Sequence, residues 1–444
     1  MKICLLTEGT YPFVRGGVST WCHELIEGLS EHEFIVYAIT GNPTASPEYA
    51  LPGNVRRLIN LPLWGHEGLA EYNARDLGSE RKRRSCEALR RDFLPAFCAL
   101  LEGIVLGMES AQPPALAAAL ADLYRYFRAH DYDWTMRRRE TWQAALQFFA
   151  SEPWHARFMS SLEAIELVRA LYRYLLPLAI ELPECDLFHS SASGLCSVPA
   201  IAAARVAQRP VLLTEHGIYL RERILELARA GFPLSDRTIK KNFFSSLARA
   251  AYHSSDRIAP VCAYNTRWER YYGVPEERVE VVYNGVDPRR FDDRCLRPER
   301  PTVGAMLRID PLKDVPTLIA AAQVVRARIP EVRFEIWGPV TDPAELARCR
   351  ALIEELGLGA TVALRGPTPD PAAVYAQCDV VALSSISEGF PYSVIEAMMC
   401  AKPVVATDVG GVREAIAGFG RVVPPRRPDA LGGALADLLG ERDA

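Results

Sequence analysis

Two glutamates, Glu388 and Glu396, stand with seven residues between them in the run Ser387-Glu388-Gly389-Phe390-Pro391-Tyr392-Ser393-Val394-Ile395-Glu396. The run follows the apolar segment Val380 to Leu383, so a strand gives way to a glycine turn and then to a helix. Pro391 suits a first helical position, because its missing N–H has no partner to lose there. A helix starting at Pro391 would turn its first N–H groups, near Tyr392 and Ser393, and the positive end of its dipole toward an anion such as phosphate. Glu396, more than a turn inside, could accept two hydrogen bonds from a ribose diol, and Glu388, in the turn, could face a sugar. The competing reading makes Glu388 an acidic helix-entry residue and Glu396 a solvated one. Against it, Glu396 is flanked by Val394-Ile395 and Ala397-Met398-Met399, where an idle carboxylate would be unfavourable.

Arg308 and Lys313 bracket the loop after another apolar segment, Thr302 to Met306. Two cations there could neutralise a leaving diphosphate. Together with helix N–H groups they would do so without an obligatory metal or a cofactor. Nearer the start, Gly16 and Gly17 permit close backbone approach between the opening strand and the opening helix, although the spacing is not that of a dinucleotide fingerprint. His216 follows the apolar run Val211 to Thr214, which sets an imidazole at the carboxyl end of a strand.

The elements that position these residues alternate. In the first half, Lys2 to Leu6, Phe34 to Ile39, Asp186 to His189, Pro210 to Glu215 and Arg257 to Pro260 read as strands with helices between them. A second series comprises Thr302 to Met306, Arg333 to Trp337, Thr361 to Leu364, Val380 to Leu383 and Pro403 to Ala406. Such alternation predicts α/β architecture: two Rossmann-like doubly wound domains, at 1–287 and 288–444, with ligands in the cleft beyond the strands' carboxyl ends. Pro288 to Pro301 is the expected linker. From about 65 to 183 glycine is rare and Ala, Leu, Arg and aromatic residues follow helical spacing, which predicts an α-helical insertion in the first domain. Its Arg81 to Arg84 and Arg137 to Arg139 runs could meet an acidic partner or form solvated helix faces.

Composition narrows the function. The chain has 444 residues, 49% apolar and 24% charged, which suits two folded domains. With 51 Lys and Arg against 55 Asp and Glu, a formal charge of −4 gives no field for nucleic acid. Eleven scattered cysteines without a Cys-x-x-Cys pair suggest free thiols in a reducing cytosol rather than a disulfide framework or a zinc site. The apolar run at Met1 to Leu6 is too short for a secretory signal, and neither Phe93 to Met108 nor Leu171 to Ile180 is long and apolar enough to span a membrane.

Taken together, Glu388-Gly389-Phe390-Pro391 to Glu396, Arg308, Lys313, Gly16-Gly17 and Asn284-Gly285-Val286-Asp287 resemble the retaining GT-B glycosyltransferases of glycosyltransferase family 4. Within that family, Glu8 to Trp21 and Thr214 to Arg223 resemble the cytosolic, Pel-type exopolysaccharide branch. The resemblance implies a nucleotide-sugar donor, most often UDP-linked, and a glycan acceptor. It implies transfer of a hexose or N-acetylhexosamine with retention, by front-face attack. By the same resemblance Glu396 would bind the ribose, Glu388 and His216 would contact the transferred sugar, and Arg308 and Lys313 would hold the diphosphate. A membrane polysaccharide synthase would be the partner, holding a cytoplasmic enzyme at the inner face. Two departures stand out: the helical insertion, and a sequence ending at Ala444, soon after the helix expected at Ala430 to Leu439, where the family commonly adds a terminal helix. An epimerase or a phosphorylase of the same architecture and a non-catalytic nucleotide-sugar-binding scaffold subunit are the alternatives.

Overall fold

A computed structural model describes residues 1–64, 82–105, 113–151, 159–291, 296 and 298–441. The chain divides into two compact units, Met1–Pro260 with Thr266–Val281, and Val261–Asn265 with Val282–Ala444. The boundary expected between 287 and 288 falls between Val281 and Val282, and the sequence pattern places Val261–Asn265 in the first domain. Glu414 explains its assignment to the second: the N–H groups of Ala263 and Tyr264 each donate to that carboxylate at 2.7 Å. In the expected linker, 292–295 and 297 lie outside the described residues, and Phe291 is already buried in the second unit.

The first unit is built on a parallel sheet of β1 (Lys2–Glu8), β2 (Glu33–Thr40), β3 (Val55–Pro62), β4 (Leu187–Ser190), β5 (Val211–Glu215) and β6 (Arg257–Pro260), in the order β3-β2-β1-β4-β5-β6. Leu5 pairs with Val36 on one side and His189 on the other. Apolar runs without alternation, such as Ile3-Cys4-Leu5-Leu6, fit strands covered on both faces, and those four are all buried. β3 escapes recognition in the sequence because Arg56 and Arg57 interrupt its apolar pattern. It is an edge strand, and there Arg56 pairs with Glu33 at 2.9 Å.

Helices α1 (Gly17–Gly28), α2 (Leu94–Val105), α3 (Pro113–Ala129), α4 (Arg139–Ser151), α5 (Ser161–Leu175), α6 (Ser197–Ala207), α7 (Tyr219–Arg229), α8 (Leu234–Ser254) and α9 (Thr266–Tyr271) accompany the sheet, with shorter helical turns such as Tyr132–Met136 between them. The inserted helices share one continuous apolar core with the sheet: Leu116, Leu120, Leu123 and Phe127, on one face of α3, cluster with Leu6 and Tyr37. Residues 65–81, 106–112 and 152–158 of the expected insertion, with Arg81, lie outside the described residues. The remaining basic side chains of the two arginine runs are mostly exposed, and those with described partners find them within their own unit. Lys82 donates to the Phe127 and Ala179 carbonyls at 2.7 and 3.0 Å, Arg84 grips Asp131, Arg137 grips Asp133, and Arg138 lies over Trp134.

The second unit repeats the design with β7 (Thr302–Met306), β8 (Arg333–Trp337), β9 (Val362–Gly366), β10 (Val380–Leu383), β11 (Val404–Thr407) and β12 (Arg421–Val423), ordered β12-β11-β10-β7-β8-β9. Counted from its own first strand this is the order of the first sheet, and both are Rossmann-like. β12, three residues long, is too short for periodicity to reveal. Helices α10 (Val315–Arg328), α11 (Pro343–Glu355), α12 (Pro371–Ala376), α13 (Tyr392–Met399), α14 (Val412–Ile416) and α15 (Pro428–Gly440) alternate with the strands. In each sheet the strand order reverses between the first and fourth strands, which puts the loops after β1, β4, β7 and β10 at the switch points where such sheets bind ligands.

Candidate functional site

In the second unit, the loops after β7 and β10 are stitched together. Asp310 organises the first: its Oδ1 accepts the N–H groups of Leu312 and Lys313 at 2.8 and 3.2 Å, an Asx-type turn. Ser384 Oγ then donates to the Lys313 carbonyl at 2.8 Å, and the Ile386 N–H to the Leu312 carbonyl at 2.8 Å. At their junction Lys313 Nζ lies 2.5 Å from Glu388 Oε1, and Ser385 Oγ donates to the same oxygen at 2.5 Å. Thr407, at the end of β11, fixes the Ser385 carbonyl through a 2.6 Å bond. Glu388 is therefore a positioned carboxylate, not a loose helix-entry charge. Arg308, five residues before Lys313, is half exposed and turns to Asp310 at 3.2 Å.

Gly389 to Ser393 lead from Glu388 into α13. The Gly389 carbonyl accepts the Gly411 N–H at 2.7 Å, and the Phe390 carbonyl accepts Asn284 Nδ2 at 2.9 Å. Tyr283 packs on the Phe390 ring, with centroids 5.1 Å apart. Pro391 has φ −74° and ψ 124°, extended backbone, so it caps the helix and Tyr392 is the first helical residue. The expectation of Pro391 in the first helical position is off by one, because Val394 N–H already closes onto the Pro391 carbonyl. The positive end of α13 still follows directly on the glycine turn.

Glu396 sits between buried Val394 and Ala397. Burial raises its carboxyl above the ordinary range, while a hydrogen bond from Tyr375 and the charge of Arg290 pull it back. Tyr375 Oη donates to Glu396 Oε2 at 2.8 Å. The partner that its apolar setting demands is thus supplied in part by a tyrosine of this chain.

In the first unit, Glu8 closes β1. Its Oε2 accepts the Leu195 N–H at 2.6 Å and its Oε1 the Tyr219 hydroxyl at 2.8 Å. Burial raises this carboxyl, and Arg223 and Tyr219 act in the opposite sense. Gly194 makes the approach possible, since a Cβ there would strike both Tyr219 and Glu8. Gly16 is exposed extended backbone capping α1, and Gly17 is its first residue. His216 meets the edge of Trp21, ring centroids 4.5 Å apart, and Trp21 also meets His189 at 5.4 Å. Burial, then the neighbouring His189, pushes the His216 imidazole down to about 3, so it is neutral at physiological pH. Its Nε2 is enclosed and without a hydrogen-bond partner. His189, lowered to about 4 by burial, lies 2.8 Å from Thr214 Oγ1.

The structure thus gathers Lys313, Glu388 and the 389–393 turn in one unit, with Arg308 in the same loop as Lys313, and sets His216 in the other beside α1. Sequence reasoning missed Tyr375, Ser385, Trp21 and His189, which are ordinary residues until the fold juxtaposes them. It also passed over Asp131-Tyr132-Asp133, an Asp-x-Asp spacing. Both carboxylates are committed to the protein: Asp131 caps a short helix through the Trp134 N–H and holds Arg84, and Asp133 pairs with Tyr172 and Arg137. Among the described residues no group of three or more His, Cys, Asp or Glu could hold a metal ion, the cysteines are free, and no helix is long and apolar enough to cross a membrane.

Residues 289–444 match the family described as Glycosyl transferases group 1. D-inositol 3-phosphate glycosyltransferase of Paenarthrobacter aurescens (strain TC1) is 34% identical over 183 residues, 38% of this chain and 45% of that protein. Its counterpart in Nocardia farcinica (strain IFM 10152) is 36% identical over 190 residues, 39% of this chain and 42% of that protein. The chain thus spans less than half the length of these curated relatives. Among solved structures, sucrose-phosphate synthase from Thermosynechococcus elongatus superposes with a TM-score of 0.59 at 17% identity, covering 100% of this chain and 90% of that one. Anabaena HepE in complex with UDP and glucose gives 0.57 at 16% identity, covering 100% and 91%. These likenesses show the fold, a two-domain Rossmann-like GT-B architecture. Residues 1–277 match the family described as Domain of unknown function (DUF3492), so the chain belongs to that family and joins its domain to a glycosyl transferases group 1 domain.

Proposed function

We propose that the chain is a retaining, metal-independent glycosyltransferase that moves a hexose or N-acetylhexosamine from a UDP-sugar to a glycan acceptor in exopolysaccharide synthesis. The observation that carries this reading is the cluster of Lys313, Ser385 and Glu388 at the switch point of the second sheet, one turn from the start of α13. A diphosphate set against that helix start would meet backbone N–H groups, Lys313 and Arg308, which together offset the charge that develops as the nucleotide leaves. Glu388 would contact the transferred sugar, and Glu396 the ribose. His216, neutral and with an unpartnered nitrogen, is suited to a sugar hydroxyl rather than to a phosphate. Front-face attack would let the departing phosphate take the acceptor's proton, so no separate base is assigned. HepE, of the same fold, is described in complex with UDP and glucose, which favours a UDP donor. We further assign the enzyme to the cytoplasm, held at the inner membrane face through a polysaccharide synthase.

The test is a screen of the purified chain against UDP-, GDP- and ADP-sugars with glycan acceptors, following nucleotide release and product anomeric configuration, with and without chelator. Release of UDP with a retained linkage in chelator is expected. Tight binding without release under every acceptor condition would instead establish a scaffold, and interconversion of the intact donor an epimerase.

A further inference from the structure

Tyr375 is 1% exposed, on the short helix α12, and its ring packs toward Phe291 with centroids 6.4 Å apart. Its hydroxyl is aimed out of this apolar setting at one atom, Glu396 Oε2, at 2.8 Å. Burial, followed by the negative charge of Glu396, holds the phenol well above its ordinary range, so Tyr375 is a permanent donor. A glutamate has three side-chain torsions, and an uncommitted carboxylate on a helix samples several rotamers. With Oε2 held, Glu396 keeps one orientation, and Oε1 remains the atom it can offer to a ligand. Arg290 adds a positive charge nearby that favours the ionised form.

We propose that Tyr375 is a positioning residue for sugar-ring recognition in the nucleotide: by fixing the Glu396 carboxylate it makes the site select a ribonucleoside diphosphate over its deoxy counterpart. This rests on the nucleotide-sugar reading above. An oriented, partly desolvated acceptor is left without a donor when the ribose hydroxyl is missing, and a site built that way rejects the lacking analogue far more strongly than a flexible one. Tyr375 itself touches no substrate. It acts only through Glu396.

Calorimetric titration of the full chain with UDP, GDP, ADP and their 2′-deoxy and 3′-deoxy counterparts tests this, using wild type, Tyr375→Phe, Glu396→Gln and the double variant. Phenylalanine keeps the ring and its packing, and thermal melts verify that each variant is folded. In wild type one ribonucleotide should bind about tenfold or more tightly than its weaker deoxy form, the size of one hydrogen bond to a charged acceptor. Tyr375→Phe should lose most of that ratio while binding the deoxy nucleotide as wild type does, and the double variant should lose no more discrimination than Glu396→Gln alone. On acidification, ribonucleotide affinity should begin to fall at a higher pH in Tyr375→Phe than in wild type, because the buried carboxyl has lost the donor that favours its charge. A wild-type ratio in Tyr375→Phe, or equal weakening of both nucleotide forms, overturns the role of Tyr375. A wild-type ratio in Glu396→Gln, or no nucleotide binding by wild type, overturns the underlying reading and the role of Tyr375 with it.

Discussion

Lys313 Nζ and Glu388 Oε1 lie 2.5 Å apart, with side chains only 18% and 10% exposed, in a chain that brings them together from 75 positions apart. The pair joins the loop after β7 to the loop after β10, so it holds the candidate site's shape as well as its charge.

Structure and chemistry should come apart when both partners are changed. Lys313→Ala leaves a mostly covered carboxylate without its cation and is expected to destabilise the chain by about 1–3 kcal/mol, below the range for fully buried pairs. Lys313→Met with Glu388→Gln removes both charges and should recover most of that loss in urea denaturation. Transfer should stay at least about a hundredfold down in the double variant, as for loss of a preorganised charge. Recovery of turnover along with stability would reduce the pair to scaffolding.

Arg308 provides the contrast. It is 47% exposed and its partner Asp310 already caps the loop through two backbone N–H groups, so the ion pair adds little to stability. Arg308→Ala should melt with the wild type yet lower kcat by roughly 10²-fold, with little change in binding of the free nucleoside. A variant with unaltered kcat would remove Arg308 from the leaving-group assignment.

Much of this was legible beforehand, for identifiable reasons. Strands buried on both faces announce themselves as apolar runs, which is why β1, β7 and β10 can be read directly and the site residues placed on the loops after them. Edge strands do not: β3 carries two arginines and β12 has three residues. Among the candidate site residues, Glu396 stands out because a carboxylate in an apolar run is unusual, and Glu388 through its place in the glycine turn before that helix. Tyr375 and Ser385 do not, since a buried tyrosine and a loop serine are common and acquire meaning only from the atom they face. Val261–Asn265 is tied to the second unit through residues far along the chain, Glu414 about 150 positions away among them, and no local pattern encodes it.

Gly410 offers a test of how the Glu388 loop is held. Its φ is +58°, and a Cβ would collide with the Glu388 carbonyl oxygen. Both the left-handed backbone and the close approach exclude a side chain. Gly410→Ala should therefore destabilise the chain by about 2–4 kcal/mol, combining conformational strain with displacement of the loop. At temperatures where it remains folded, nucleotide-sugar turnover should fall more than nucleotide affinity, because Glu388 moves while Glu396, inside α13, does not. Equal loss of both would place the loop's influence on the whole nucleotide site.

The last prediction concerns a carboxyl pair in the first unit, Glu215 at the end of β5 and Glu269 on α9, both fully buried. Tyr252 donates to Glu215, as does Ser193 at 3.3 Å; Tyr272 feels the charges of both Glu215 and Arg249, and the charge of Arg270 lowers Glu269. Burial first, then the charge of Glu269, drives the Glu215 carboxyl well above the ordinary range, and burial also raises Glu269. Two carboxyls in contact share a proton and titrate as a unit. Their folded titration lies above the unfolded value of about 4.3. The stabilisation is therefore full below that value, and it is lost as pH rises through the raised folded titration. Above about pH 5 the pair's own contribution to stability should fall with rising pH, by up to about 1.4 kcal/mol per pH unit for one retained proton, while the buried neutral His189 and His216 act in the opposite sense below about pH 6.5. Glu269→Gln keeps a donor for Glu215 but removes one titrating group, so its urea midpoint should fall less steeply over the same range and should exceed the wild type's at the alkaline end. Parallel pH profiles for the two proteins would mean that no proton is held between Glu215 and Glu269.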